Sequence, residues 1–130
     1  MAIRYSTTDI INAELFKDIL IRSTLAERRP INDMNKISKM IENGDIVATA
    51  WDDNKLVGIA RSITDYAFCC YLSDLAVDKD YQRKGIGRHL IEITRKQIDS
   101  DIPLFLFAAP KVESYYPKIG FQSKPAWIIR

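Results

Sequence analysis

The stretch Leu75-Ala76-Val77-Asp78-Lys79-Asp80-Tyr81-Gln82-Arg83-Lys84-Gly85-Ile86-Gly87-Arg88 carries the strongest signal in the sequence. An apolar run feeds a polar loop, Asp78 to Lys84, and the loop opens a helix at Gly85 or Ile86. The first N–H groups of a helix have no internal partner, and the macrodipole places partial positive charge there. Gly85 and Gly87 remove the Cβ atoms that would hold an anion away from the backbone. Arg83, Lys84 and Arg88 add full positive charge. Together these features make an anion site suited to a pyrophosphate. The dinucleotide fingerprint G-x-G-x-x-G fails because position 90 is leucine, and no P-loop pattern is present. Standing alone, the segment would also read as an ordinary helix start with a solvated basic cluster.

Downstream, the helix is expected to run to about Ser100, with Ile86, Leu90, Ile91 and Ile93 at apolar positions. Pro103 introduces the wholly apolar run Leu104 to Ala108, which suits a strand buried on both faces. A short helix is expected from about Val112 to Ile119, ended by Gly120, and a last strand over Ala126 to Ile129. Upstream, a strand is expected from Cys69 to Val77. Ile46 to Trp51 and Leu56 to Ile63 read as a hairpin across the turn-rich Asp52-Asp53-Asn54-Lys55. A first strand, Ile3 to Ser6, precedes two helices. Asp9 or Asn12 caps the first, with Leu15, Phe16, Ile19 and Leu20 at helical spacing. Asn32 or Asp33 opens the second, with Met34, Ile37, Met40 and Ile41, and Asn43-Gly44 ends it. Leu25 to Pro30 connects them and holds Arg28 and Arg29. Antiparallel hairpins and a strand–helix–strand crossover in one sheet give an α/β fold with a mixed sheet.

The 130 residues are expected to form one domain, 1–130, with an ordinary globular composition of 47% hydrophobic and 28% charged residues. A net charge of +2 does not argue for nucleic acid. No apolar run approaches the ~20 residues that span a bilayer, and Met1 to Ser6 shows no signal-peptide core, so no membrane partner and a cytoplasmic location are expected. Cys69 and Cys70 are adjacent, which disfavours a disulfide between them. With the single His89 they make no metal site, and no metal is expected.

The glycine-bearing loop resembles motif A of the GNAT superfamily of N-acetyltransferases, Q/R-x-x-G-x-G/A, in Gln82, Gly85 and Gly87 after the strand Leu75-Ala76-Val77. A second stretch, Tyr115-Tyr116-Pro117-Lys118-Ile119-Gly120-Phe121, is similar to the family's F-Y-x-K-x-G-F, and the element order matches over nearly the whole chain. The resemblance implies a mixed, mostly antiparallel central sheet flanked by helices, here with a shortened C-terminal strand region. It implies acetyl-CoA as co-substrate and a primary amine, of a small molecule, as acceptor. The pantetheine arm is then expected on the backbone of Leu75, Ala76 and Val77 as an added strand. The pyrophosphate is expected on Gln82, Arg83, Lys84, Gly85, Ile86, Gly87 and Arg88. Backbone N–H groups of the strand would stabilise the oxyanion. Tyr116 would protonate the departing thiolate, since a phenol with a pKa of roughly 10 keeps its proton at neutral pH.

Asp74, the one carboxylate within that strand, is the candidate base or ammonium anchor, and equally a candidate for a purely structural part. Many family members carry a carboxylate where this sequence has Tyr71, and often an asparagine where it has Ala109. The stretch Val57 to Val77 is similar to the serotonin- and arylalkylamine-type branch of plant plastids, which makes an aromatic amine a natural first acceptor. Only nine residues follow Phe121, too few for a full final hairpin, so a truncated wall or a homodimer that completes it is expected. Two other functions share the fold: a non-catalytic acetyl-CoA sensor, and an acetyltransferase acting on a protein amine.

Overall fold

The computed structural model describes residues 2–130. Five strands form one sheet in sequence order: β1 (Ile3–Ser6), β2 (Ile46–Asp52), β3 (Lys55–Thr64), β4 (Cys70–Val77) and β5 (Leu104–Phe105). The first four are antiparallel neighbours, and β5 lies parallel to β4. Three helices flank the sheet: α1 (Ala13–Ser23), α2 (Met34–Glu42) and α3 (Ile86–Arg95). The mixed, mostly antiparallel sheet is the expected architecture.

The helix starts follow local chemistry. Asn12 caps α1 by accepting the Leu15 N–H at 2.8 Å, and Asp33 caps α2 by accepting from Lys36 at 3.2 Å. Helices α1 and α2 bury Phe16, Ile19, Leu20, Ile37 and Ile41 against Leu56, Ile59 and Ala76 on one face of the sheet. On the other face, α3 buries Ile86, Leu90 and Ile91 against Ala48, Val57, Ala60 and Leu72. The two faces read out the period-2 alternation of β4, whose residues alternate between buried and half-buried along its length. Gly58 lets α3 approach, since a Cβ there would lie 3.1 Å from Leu90 and 3.2 Å from Ile86.

The second half departs from expectation in four places. Helix α3 stops at Arg95 rather than Ser100, its end tightened by Gln97 N–H to Thr94 O and Ile98 N–H to Arg95 O. Strand β5 covers Leu104–Phe105 rather than Leu104 to Ala108, because β4 turns away beyond Tyr71 and leaves the rest unpaired. The helix expected over Val112 to Ile119 is two 3-10 turns, Pro110–Val112 and Tyr116–Ile119. Pro117 has no N–H to give a helical ladder, and the segment closes through three-residue bonds such as Lys118 N–H to Tyr115 O and Gly120 N–H to Pro117 O. Ala126 to Ile129 forms no strand: it finds no partner among the described residues, and Trp127 and Ile129 are exposed. No described helix is long and apolar enough to cross a membrane.

Candidate active site

The site begins where β4 and β5 part. They pair at Cys70–Leu104 and Tyr71–Phe105 and no further. Across the other edge of β4, Arg61 faces Asp74 while Ser62 faces Leu72, so Ser73 is the extra residue of a bulge. A bulge bends its strand, and here it lies where β4 swings clear of β5. The Asp78 N–H donates to Val57 O at 2.9 Å, toward β3. Backbone polar groups alternate sides along a strand, so those of Ala76 also face β3, while those of Leu75 and Val77 face the open edge. Of the three residues expected to pair with a pantetheine arm, Leu75 and Val77 offer backbone groups. Ala76, 1% exposed, contributes packing instead.

The loop after β4 is tied back to that edge. Gln82 Nε2 donates to Val77 O at 3.0 Å. Asp78 accepts the Asp80 N–H at 2.8 Å and the Arg22 Nη1 at 2.5 Å. Burial opposes ionisation of Asp78, but these donors outweigh it and hold the carboxyl below its usual range. Tyr81 Oη donates to Asp52 at 2.6 Å, which anchors the middle of the loop to the β2–β3 turn.

The loop enters α3 through Gly85, whose φ of 81° is the left-handed conformation that glycine tolerates best. No side chain caps the helix, so its leading N–H groups stay available. Gly87 sits against β4: a Cβ there would lie 3.7 Å from Val77 and 3.9 Å from Leu75, ordinary contact distances. The fold alone therefore does not require glycine at 87; close approach by an anion would. Arg83, Lys84 and Arg88 are exposed around this start, with Arg88 loosely paired to Glu92 at 3.5 Å. The structure thus brings the open strand edge, the uncapped helix start and three cations into one place. These residues fit a ligand with an extended amide arm and a phosphate end.

Tyr116 is half-buried, 5.4 Å from the Phe121 ring and 5.5 Å from Tyr115. It lines a cleft of about 1000 Å³ that Arg88, Ile91, Leu106 and Phe121 share. Burial raises the Tyr116 pKa above 10.0, Tyr115 adds to the rise, and the nearby Arg28 opposes it. Arg28 comes from the α1–α2 connector.

Asp74 is placed otherwise than a base requires. Its side chain is 0% exposed, Oδ1 accepts from Arg29 Nε and Oδ2 from Arg61 Nε, both at 2.5 Å. A carboxylate closed on both oxygens by guanidinium groups cannot be reached by a substrate proton. The structural alternative for Asp74 is the one that the geometry supports. Sequence reading did not find its partners. The available signal was Arg61, a charged residue inside the otherwise uncharged run Leu56 to Ile63, which needs a buried counter-charge. A second feature that sequence reading missed is aromatic. Tyr71 stacks on Phe105 at 5.1 Å and meets Phe107 edge-on at 5.4 Å, at the point where the strands separate. His89 is exposed and stacked on Tyr5 at 4.0 Å, outside the site.

Residues 21–126 match the family model described as Acetyltransferase (GNAT) domain. The chain is 37% identical over 78 residues to GCN5-related N-acetyltransferase 2, chloroplastic, of Arabidopsis thaliana, which covers 58% of this chain and 30% of that one. It is 32% identical over 114 residues to Histone acetyltransferase TAP1 of Glycine max, covering 78% of this chain and 48% of that one. The chain thus spans less than half the length of either relative. In fold it is similar to the PaiA N-acetyltransferase of Thermoplasma acidophilum in complex with coenzyme A, with a TM-score of 0.75, 20% identity, and 95% and 92% of the two chains covered.

Proposed function

The chain belongs to the GNAT acetyltransferase family, and on that premise we propose that it moves an acetyl group from acetyl-CoA to the primary amine of a small molecule. One observation supports this above the others: the unpaired edge of β4, at Leu75 and Val77, lies beside the uncapped start of α3, against Gly87. In this reading the edge holds the amide arm, and the N–H groups around Gly85 to Arg88 hold the pyrophosphate, with Arg83 and Lys84 alongside. Gln82 shapes the loop through its bond to Val77 O.

Acetyl transfer then proceeds by direct attack in a ternary complex. The neutral amine nitrogen bonds to the thioester carbon, and negative charge moves to the carbonyl oxygen. The Leu75 N–H at the open edge is the donor positioned to receive that charge. When the C–S bond breaks, the electron pair stays on sulfur, and Tyr116 gives its phenolic proton to the thiolate. Because Asp74 is sealed, the amine proton passes to water.

The cluster Tyr71, Phe105 and Phe107 supports a small acceptor with an aryl ring, which would stack where the two strands separate. A protein amine is the second reading, favoured by the name of the Glycine max relative. Mass spectrometry after incubation with acetyl-CoA and a mixed panel separates them. Acetylated arylalkylamines support the first reading, acetylated lysine peptides the second, and tight acetyl-CoA binding without any product a sensor. A homodimer is the proposed assembly: exposed Trp127, Ile128 and Ile129 offer apolar surface that a partner copy would cover, and light scattering reads it. For location, the chloroplastic relative supports a plastid alongside the cytoplasm, and imaging of a tagged chain distinguishes the two.

A further inference from the structure

Beneath the β4 bulge, Arg29 and Arg61 converge on one carboxylate, Asp74. Arg29 and Arg61 are 18% and 6% exposed and Asp74 is 0% exposed, so the cluster is largely shielded from water. The remaining donors reach fixed oxygens. Arg29 Nη2 donates to the Ser73 carbonyl at 2.6 Å, and Arg29 Nη1 to the Arg28 carbonyl at 2.8 Å. Arg61 Nη2 donates to Ser73 Oγ at 3.0 Å, and Arg61 Nη1 to the Met40 carbonyl at 3.1 Å. The bulge residue Ser73 is therefore held at both its carbonyl and its hydroxyl. Arg29 belongs to the α1–α2 connector, while Ser73 lies two residues before Leu75, so one side chain joins the connector to the reacting edge.

We propose that Arg29 is a positioning residue for acetyl transfer, fixing the bulge so that the Leu75 N–H is aimed at the thioester oxygen. The inference rests on the acetyl-transfer reading.

The test is steady-state kinetics on Arg29→Ala and Arg29→Lys in the full chain, with thermal melting and acetyl-CoA calorimetry alongside. Displacement of a reacting group by about 1 Å costs rate on the order of 100-fold, and that is the fall in kcat expected for Arg29→Ala. The Kd for acetyl-CoA should stay within about threefold, the pattern of a contact felt in the transition state. Added guanidinium ion, well below denaturing concentration, should restore part of kcat in Arg29→Ala, since Arg29 is partly open to solvent at 18%. Arg29→Lys keeps charge and should keep the fold, yet an ammonium cannot make the forked contact, so kcat should remain low. An unchanged kcat in both variants, or a fall that tracks the unfolded fraction and is not rescued, overturns the proposal while the acetyl-transfer reading stands. A wild-type chain that binds acetyl-CoA and acetylates nothing overturns that reading, and the proposal with it.

Discussion

Arg61 and Asp74 face each other as register partners across β3 and β4, and Arg61 Nε lies 2.5 Å from Asp74 Oδ2. This pairing removes Asp74 from proton transfer and makes it a fastener between the sheet and the α1–α2 connector. Asp74→Asn leaves two arginines with reduced counter-charge in a buried place. Breaking a buried pair costs about 3–5 kcal/mol, and urea unfolding should show a loss of that size. Residual activity should show no recovery at high pH beyond that of the wild type. Normal stability together with alkaline rescue would return Asp74 to the role of base or ammonium anchor.

Tyr116→Phe removes one hydroxyl from the cleft and keeps the ring. The expected result is a fall in kcat of about 10²–10⁴, the range for a general acid, with acetyl-CoA affinity little changed. The pH dependence follows from burial, which raises the phenol above 10.0 in the fold. Only the protonated phenol can donate, so the acid stays competent through the neutral range, and kcat falls only as pH rises through that raised value. An unaltered kcat in the variant would pass the role to Tyr115 or to water.

Gly87→Glu separates the fold from the ligand. The new Cβ meets Val77 and Leu75 only at ordinary contact distance, so melting should be nearly unchanged. The added bulk and charge face the proposed pyrophosphate, and calorimetry should show acetyl-CoA binding lost. Retained affinity would move the phosphate site away from the α3 start.

Asp78 makes acid stability a readout of the loop. Its carboxyl titrates lower when folded than its unfolded value of about 3.9. Its contribution is therefore full above that unfolded value and is lost as pH falls through the lowered folded one. Arg22→Met takes away the partner at 2.5 Å and should cost about 2–3 kcal/mol at neutral pH, with a shallower acid limb below pH ~4. Parallel acid limbs in wild type and variant would show that the pair does not couple to folding.

Most of the sheet was legible in the sequence because its signals are local. Asn12 and Asp33 cap helices, the Asp52 to Lys55 turn closes a hairpin, and Gly85 opens α3. The juxtaposition of helix start, glycines and cations was legible for the same reason, since they lie within a few residues of one another. What could not be read was long-range. The Arg29–Asp74–Arg61 triad joins residues 45 and 13 positions apart; Arg61 in its apolar run calls for a counter-charge, but no local pattern names Asp74 or Arg29 as its partners. The aromatic cluster likewise needs the parallel register of Tyr71 with Phe105. The second half was over-read as regular structure because Leu104 to Ala108 and Val112 to Ile119 have the right apolar content. The β4 bulge denies the first a partner, and Pro117 denies the second a ladder.

The most direct test is the initial rate of thiol release from acetyl-CoA by the wild-type chain, with and without an arylalkylamine at saturating acetyl-CoA. An amine-dependent, saturable rate that falls in Tyr116→Phe is the expected result. A rate that no amine raises, from a chain that binds acetyl-CoA tightly, would contradict the enzymatic reading and leave a binding module on the same fold.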